Sequence, residues 1–209
     1  MLSKDTKWIW QTVWQDTHFR RKLLIGWGLV LIILALMPIY FPFIQSRQGY
    51  LLNDVVLEQL PKTDVSLPVF LLIWGAGLLI LVRSIAHPAL MVRFLWAYAI
   101  VTIFRALTIY FIPLEPPVGW VSLQDPLTNF FYGKAEYVTK DLFFSGHTST
   151  VVLIYFVLER RLDKLLTLLA SIAVGVLLAV QHIHYTIDIV AAPIGTYVAY
   201  LLGKRLAAV

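Results

Sequence analysis

The chain has 209 residues, of which 59% are hydrophobic and 14% are charged, and its mean hydropathy is +0.78. Soluble domains carry about 25% charged residues, so the composition excludes a water-soluble globule, a disordered chain and a nucleic-acid-binding module; the net charge of +5 comes from basic residues at the ends of apolar runs. The absence of cysteine excludes disulfides, a thiolate metal site and a cysteine nucleophile.

The first 22 residues interleave aromatic rings with charged side chains. Trp8, Trp10, Trp14 and Phe19 lie among lysines, arginines and aspartates, and such rings prefer the membrane–water interface. We therefore predict an N-terminal interfacial segment over residues 1–22 and one membrane domain over residues 23–209. The apolar run that follows is too long for a cleaved signal peptide, and no small-residue cleavage site comes after it.

Six apolar runs follow in chain order. A helix needs about 20 such residues to cross the hydrocarbon core, and fewer when neighbouring helices help. The runs are continuous and do not alternate with polar residues, which favours an all-α bundle over a β-barrel. The predicted spans are Leu23–Phe43, Leu67–Val82, Phe94–Ile112, Ser145–Leu158, Leu165–Val180 and Ile187–Leu202.

Lysine and arginine are divided unequally between the two sides that six crossings create. The side with both termini holds twelve and the other side holds four, and the richer side faces the cytoplasm. We therefore predict cytoplasmic termini, with loops 45–66, 113–144 and 181–186 facing the periplasm or a lumen. A bacterial inner membrane is favoured by the short chain without extended tails; a Golgi, endoplasmic reticulum or plasma membrane is the alternative.

The segment His184–Asp188 joins a histidine to an aspartate at positions i and i+4. On a helix the two side chains share one face, and the carboxylate can accept a hydrogen bond from one ring nitrogen of His184. The other nitrogen then keeps its lone pair, which makes the ring a good base or nucleophile. The alternative is a polar pair that only caps the sixth span.

The segment Ser145–Thr148 opens the fourth span. Ser145 can cap the helix, and Gly146 lets a ligand approach the backbone. The free N–H groups and the dipole of a helix start attract an anion such as phosphate, beside which His147 can donate a proton to a leaving oxygen. The alternative is an ordinary cap with an interfacial histidine, but topology brings both histidine segments to one membrane face.

A metal site is a further alternative, because His182 and His184 are close in sequence. Residues two apart point to different sides of a helix, so this pair would chelate a metal only in extended backbone. No acidic cluster nearby completes a zinc ligand set. We therefore predict no metal and no other cofactor.

Three segments resemble a known enzyme family. Lys140–Thr148 (KDLFFSGHT) and His182–Asp188 (HIHYTID) resemble the catalytic segments of the sphingomyelin synthase-like branch of the type 2 phosphatidic acid phosphatase superfamily. Arg105–Leu114 (RALTIYFIPL) is similar to that branch's segment in the third span. The resemblance covers residues 50 to 205, and the predicted six-helix layout with an outward-facing site matches the branch as well.

The resemblance also implies a role for individual residues. His184 is the nucleophile that attacks a lipid phosphorus and holds it as a phosphohistidine-type intermediate, and Asp188 orients His184 and stabilises its positive charge. His147 protonates the leaving lipid alcohol and then deprotonates the acceptor. Asp141 either tunes His147 or helps to bind a cationic head group.

Departures from the family pattern bear on the substrate. Leu178 stands where the wider superfamily has an arginine six residues before its nucleophilic histidine, and the chain contains no Arg-Pro dipeptide. Without that phosphate clamp, a phosphodiester with one negative charge suits the site better than a phosphomonoester dianion. Ile183 stands where relatives of this branch have an acidic residue, which leaves the head group open.

Further substrate contacts are predicted near the same face. Arg105 lies about seven residues, or ~10 Å, inside its span, where it either extends outward to the interface or binds the phosphate. Ser145 and Gly146 are predicted to contact the substrate at the helix start. Four tyrosines can offer an aromatic face to a quaternary ammonium: Tyr110, Tyr132, Tyr137 and Tyr185.

The leading hypothesis is a membrane lipid phosphotransferase. It would pass a phosphocholine- or phosphoethanolamine-type group from a glycerophospholipid to a lipid alcohol of the diacylglycerol or ceramide type. The first alternative is a lipid phosphatase or phospholipase C-like hydrolase that uses the same His147, His184 and Asp188. The second is a non-catalytic transporter or scaffold, which predicts that the histidines lie far apart or lack a cavity open to the bilayer. No nucleic-acid partner is expected, and a homo-oligomer is left open.

Overall fold

The structure, a computed structural model, describes residues 4–123 and 138–208. Within these residues the regular elements are helices and no β-strand occurs; Tyr50 and Leu114 form an isolated bridge. The predicted all-α class is confirmed for this part of the chain. The helices are α1 (Lys4–Gln15), α2 (Thr17–Ser46), α3 (Val55–Glu58), α4 (Ser66–Ala86), α5 (Pro88–Phe111), α6 (Gly146–Val157), α7 (Arg161–Val180) and α8 (Thr186–Leu206).

Five of these helices, α2, α4, α5, α7 and α8, are long and apolar enough to cross a membrane. They indicate a multi-pass membrane protein. The remaining predicted span, the fourth (Ser145–Leu158), corresponds to α6, which has 12 residues and a length of ~18 Å, against a hydrocarbon core of about 30 Å. The number of crossings and their direction therefore stay predictions.

A break at Asp16 separates α1 from α2. The Asp16 carboxylate accepts hydrogen bonds from the backbone N–H groups of His18 and Phe19, which satisfies donors that a helix start leaves free. Trp10 of α1 donates its indole N–H to the carbonyl oxygen of Ile85 at 2.8 Å. These contacts fix α1 against the end of α4, and the interfacial role of residues 1–22 stays a prediction.

Contacts between helix ends define two ends of the bundle. The site end contains the starts of α4, α6 and α8 and the ends of α2, α5 and α7, and backbone hydrogen bonds join its loops: Tyr50 to Pro113 (2.9 Å), Thr63 to Val180 (3.3 Å) and Val121 to Gln181 (3.2 Å). At the opposite end, Arg83 of α4 donates two hydrogen bonds to Asp163 of α7, at 2.7 and 3.0 Å. Both ends of the bundle are thus tied by specific contacts.

α6 lies in the centre of the bundle, where it contacts α4, α5, α7 and α8. Four of its side chains have no exposed surface: Ser149, Val151, Leu153 and Ile154. A helix that is apolar around most of its circumference is a buried helix, which explains why this short apolar run is enclosed. The central position of α6 places its first turn in the middle of the site end.

Candidate active site

The first turn of α6 carries His147. Ser145 is the N-cap of the helix, and its hydroxyl oxygen accepts the backbone N–H of Thr148 at 3.4 Å. Ser149 donates its own hydroxyl to the carbonyl oxygen of Ser145 at 2.5 Å, and Ser145 is fully buried. The cap is therefore fixed from two sides, and it sets the direction of the helix start that presents Gly146 and His147.

α8 begins at Thr186, two residues after His184. The prediction that His184 and Asp188 share a helix face is therefore wrong in detail, because Tyr185 is the N-cap and His184 lies in the preceding turn. Asp188 folds back over the helix start, where its Oδ2 accepts the backbone N–H of Tyr185 at 3.0 Å. The same Oδ2 lies 3.5 Å from Nδ1 of His184, so one carboxylate both caps the helix and faces the imidazole.

The contact between His184 and Asp188 is longer than a hydrogen bond, which spans about 2.7–3.2 Å. Nδ1 of His184 and Oδ1 of Asp188 are buried and have no hydrogen-bond partner among the described residues. Such groups are costly and are rare outside functional sites. Catalytic hydrogen bonds are often long before substrate binds, and a small ring movement would close this one.

The two helix starts are joined directly. The backbone N–H of Ser145 donates to the carbonyl oxygen of Asp188 at 3.1 Å. The rings of His147 and His184 lie 6.2 Å apart between centroids, with an interplanar angle of 61°. Because polar contacts span about 3 Å, one phosphoryl group can contact both rings.

The two histidines differ in their access to the surface. His184 is 1% exposed and Asp188 is fully buried, whereas His147 is half-buried. His147 is therefore the more accessible of the two rings. Exclusion of water around His184 also strengthens the electrostatic effect of the Asp188 carboxylate on that ring.

Arg105 extends into the site from α5. Its Nε donates to the carbonyl oxygen of Phe144 at 2.8 Å, and its Nη2 pairs with the carboxylate of Asp141 at 2.7 Å. The alternative in which Arg105 extends outward is wrong, because these two bonds hold the guanidinium group against the start of α6 and leave the side chain 13% exposed. The planar guanidinium group suits two acceptors at once.

Asp141 lies in the loop before α6. Burial alone would raise the pKa of its carboxyl group, but the charge and the hydrogen bond of Arg105 outweigh burial and lower that pKa. Positive charge on His184 or His147 acts in the same direction. Asp141 is therefore an anion at neutral pH that neutralises Arg105, and its field reaches both histidines, which favours the tuning role over capture of a cationic head group.

Gly146 provides room for Arg105. A Cβ atom at this position would overlap the central carbon and the terminal nitrogens of the guanidinium group. The absence of a side chain was predicted to let a ligand approach the backbone. In the structure it lets the guanidinium group lie against the backbone beside the first N–H groups of α6.

We expect Gly146→Ala to lower kcat/KM by about 100-fold, because a displacement of roughly 1 Å in a catalytic site has an effect of that size. Head-group release from a labelled phospholipid measures the loss. The matched control is Gly75→Ala on α4, where nothing lies within 4 Å of the added methyl group. Equal activity of the two variants would contradict the packing role of Gly146.

Asp54 belongs to the site although sequence reasoning did not single it out. Its carboxylate accepts the backbone N–H of Thr186 at 2.6 Å and the hydroxyl of Thr186 at 2.9 Å. Carboxylates of Asp54 and Asp188 therefore already occupy the first N–H groups of α8. The start of α6, beside Arg105, is left as the helix N-terminus suited to a phosphate.

Two of the four predicted tyrosines, Tyr110 and Tyr185, lie among the described residues. Tyr185 is buried, lines a cavity beside α8, and donates its hydroxyl to the carbonyl oxygen of Glu115 at 2.8 Å. The ring of Tyr110 lies 4.9 Å from the guanidinium carbon of Arg47. Tyr132 and Tyr137 lie outside the described residues. Substrate contact by Tyr185 stays a prediction.

His182 is turned away from His184. Its Nε2 lies 2.9 Å from the carbonyl oxygen of Leu57, and its Nδ1 lies 3.2 Å from that of Val180. Among residues 4–123 and 138–208, no group of three or more His, Asp or Glu side chains is arranged to hold a metal ion. Both ring nitrogens of His182 thus face backbone carbonyl oxygens, and the absence of a metal stays a prediction.

The residues around the two helix starts lie in a stretch that a protein family shares. Residues 140–204 match the family model described as PAP2 superfamily C-terminal. This match supports the type 2 phosphatidic acid phosphatase superfamily. Members of that superfamily are phosphatases or phosphotransferases, which supports an enzyme that acts on a lipid phosphate. A search of curated proteins found no match.

Proposed function

We propose that the chain is an integral membrane lipid phosphotransferase of the sphingomyelin synthase-like branch. It moves a phosphocholine- or phosphoethanolamine-type group from a glycerophospholipid to a lipid alcohol of the diacylglycerol or ceramide type. The observation that carries the proposal is the 6.2 Å separation of the His147 and His184 rings, which two separate helix starts present. A non-catalytic transporter or scaffold predicts histidines that lie far apart or lack a cavity open to the bilayer, and the ring separation speaks against the first of these.

The geometry supports a double displacement. Nδ1 of His184 faces Asp188, so Nε2 attacks the phosphorus while the bond from phosphorus to the lipid oxygen breaks and His147 gives that oxygen a proton. In the second step the acceptor hydroxyl gives its proton to His147 and attacks the phosphorus, and the phosphorus–nitrogen bond breaks. The Asp188 carboxylate stabilises the positive charge on the phosphorylated ring.

The charges of the site favour a phosphodiester. Arg105 is the arginine nearest the start of α6, and its charge is already balanced by Asp141. The site thus offers one charge-balanced guanidinium group and a helix start, which suits a single negative charge better than a phosphomonoester dianion. This supports a glycerophospholipid donor over phosphatidic acid.

Hydrolysis is the rival reaction of the same site. It differs from transfer in whether water reaches the phosphorylated histidine. The 1% exposure of His184 favours transfer, whereas the half-buried His147 would admit an acceptor of either kind. Incubation with labelled phospholipid, with and without diacylglycerol or ceramide, separates the two reactions.

We further propose six crossings, with α6 among them, and a site that faces the periplasm of a bacterial inner membrane. α6 starts at the site end beside Arg105 and finishes at the opposite end, where Glu159, two residues after it, pairs with Arg93 near the start of α5. The two chain ends meet at that opposite end, where Lys22 donates to the carbonyl oxygen of Ala208. Twelve of the lysines and arginines belong to that end, which supports a cytoplasmic location for it.

The test is head-group exchange in vesicles of labelled phosphatidylcholine and diacylglycerol, with a chelator present. We expect His184→Ala to lower exchange at least about 1,000-fold, because removal of a nucleophile has effects of that order or larger. His87→Ala is the matched control, because His87 is exposed and lies at the opposite end of the bundle. Exchange that survives His184→Ala rejects the mechanism.

A further inference from the structure

A cavity of about 330 Å³ lies beside the start of α4. Its volume is at the lower end of the range for small-molecule sites, about 300–1,000 Å³. Its walls combine one carboxylate, one hydroxyl and a set of apolar side chains: Asp64, Ser66, Leu67, Phe70, Leu71 and Trp74. We call this cavity the α4 groove.

The α4 groove borders the imidazole of His147. The buried ring of Phe70 lies edge to face against His147, with centroids 6.2 Å apart at 74°. Trp74 continues the wall, with its ring 5.9 Å from that of Phe70. Phe70 is therefore a wall that the groove shares with the proposed acid and base.

The two ends of the groove differ in polarity. Asp64 precedes the start of α4, and its Oδ1 accepts the backbone N–H and the hydroxyl of Ser66 at 3.0 and 2.6 Å and the side-chain amide of Gln181 at 3.2 Å. These bonds lower the pKa of Asp64, so it is an anion at neutral pH. Leu67, Leu71 and Trp74 lie along one stripe of α4, at i, i+4 and i+7, and are open to the surroundings of the bundle.

An amphiphile with an uncharged polar head matches this arrangement. The Asp64 carboxylate repels a lipid phosphate, whereas the apolar stripe of α4 can cover a hydrocarbon chain and leaves the hydroxyl group of the molecule free to reach His147. The occupant that combines a hydroxyl with such a chain, and also belongs beside a proton donor and acceptor, is a lipid alcohol.

We propose that the α4 groove binds the lipid alcohol, both as the leaving group of the first step and as the acceptor of the second; this inference rests on the proposed function. In an in-line displacement the lipid oxygen lies opposite the attacking nitrogen of His184, on the side of His147. The second step is the chemical reverse of the first, with a different alcohol. The same groove therefore binds the alcohol that leaves in the first step and the alcohol that attacks in the second.

A second cavity of similar volume offers an internal comparison. It lies beside α8, and its walls include Asp54, Thr186, Ile187 and Val190. Two of these residues, Asp54 and Thr186, are already hydrogen-bonded to each other. Neither His147 nor His184 lines this cavity. It therefore provides a place where the alcohol is not expected.

The binding test uses His184→Ala protein in nanodiscs, so that it is independent of turnover. A diacylglycerol that carries a photoactivatable group in its acyl chain should label residues 64–74, and excess unlabelled diacylglycerol should compete. Leu71→Trp, at a position that is 61% exposed, fills the groove and should lower this labelling at least fivefold. Leu81→Trp is the matched control: it lies on the same stripe, is 48% exposed, and is ~15 Å farther along the helix.

The kinetic test uses diacylglycerol as the acceptor in otherwise unmodified protein. Leu71→Trp should raise the KM for diacylglycerol at least tenfold, whereas Leu81→Trp should leave this KM within twofold of its original value.

The outcomes separate the groove from the proposed function. If Leu71→Trp leaves the labelling unchanged, or if the labelling is concentrated at residues 187–190, the α4 groove is rejected as the alcohol site even if head-group exchange is observed. Labelling that Leu71→Trp removes, in a protein that exchanges no head group, supports the groove as a lipid-alcohol site and rejects the phosphotransferase.

Discussion

His147→Ala protein is expected to accumulate a phosphorylated enzyme when the substrate is p-nitrophenyl phosphocholine, whose leaving group is p-nitrophenol. This alcohol leaves without a proton, so the first step no longer needs His147, whereas the second step still needs a base to activate the acceptor. Loss of a general acid or base costs about 100- to 10,000-fold. The phosphocholine adduct should therefore persist for long enough to be detected on His184 by mass spectrometry of the intact protein.

Three variants make this experiment decisive. His184→Ala should form no adduct, and His147→Ala/His184→Ala should behave in the same way. His87→Ala, which removes an exposed histidine at the opposite end of the bundle, should turn over without accumulation. An adduct on a residue other than His184, or equal accumulation with His147 intact, would contradict the assignment of base and nucleophile.

Arg105→Lys is expected to lower kcat/KM by about 100-fold, the size of effect seen when one electrostatic contact to the reacting group is removed. The guanidinium group bonds the carbonyl oxygen of Phe144 and the carboxylate of Asp141 at the same time. A single ammonium group cannot hold both and also face a phosphate. Steady-state head-group exchange at several donor concentrations measures the loss.

Arg47→Lys is the control for Arg105. Arg47 is another arginine of the site end, but it lies against the ring of Tyr110 and donates to the Tyr110 carbonyl oxygen at 2.7 Å. Its replacement should leave kcat/KM within a few-fold of the original. If Arg105→Lys and Arg47→Lys lower kcat/KM equally, Arg105 has no special role at the start of α6.

The helices could be predicted from the sequence because continuous apolar runs leave few alternatives. The ends of the predicted spans differ from the helix ends by at most six residues. Differences of six residues occur at the starts of α2 and α5, and the one at α2 has a local cause. Asp16 caps the helix seven residues before the apolar run begins, so the capping residue and not hydropathy sets the helix start.

The two histidine segments could also be predicted, because the chemically relevant side chains of each segment lie within a few residues of one another. The residues that hold these segments in place by contacts from elsewhere in the chain could not be predicted. Asp54 and Thr186 are separated by 132 residues, and Arg105 and Asp141 by 36, so only tertiary structure reveals these contacts. Asp54 had a local signal, an aspartate before the apolar residues that begin α3, but it predicts a cap for α3 and says nothing of α8.

The site lies deeper than the ends of the helices around it. Phe70, whose ring contacts His147, is four residues after the start of α4 and Arg105 is six residues before the end of α5, which correspond to ~6 and ~9 Å. Under the proposed function, a lipid whose phosphate rests level with those ends moves toward the hydrocarbon before it reacts. Such a movement costs least for a head group without net charge, so we propose that the depth of the site favours zwitterionic over acidic lipids of the surrounding leaflet.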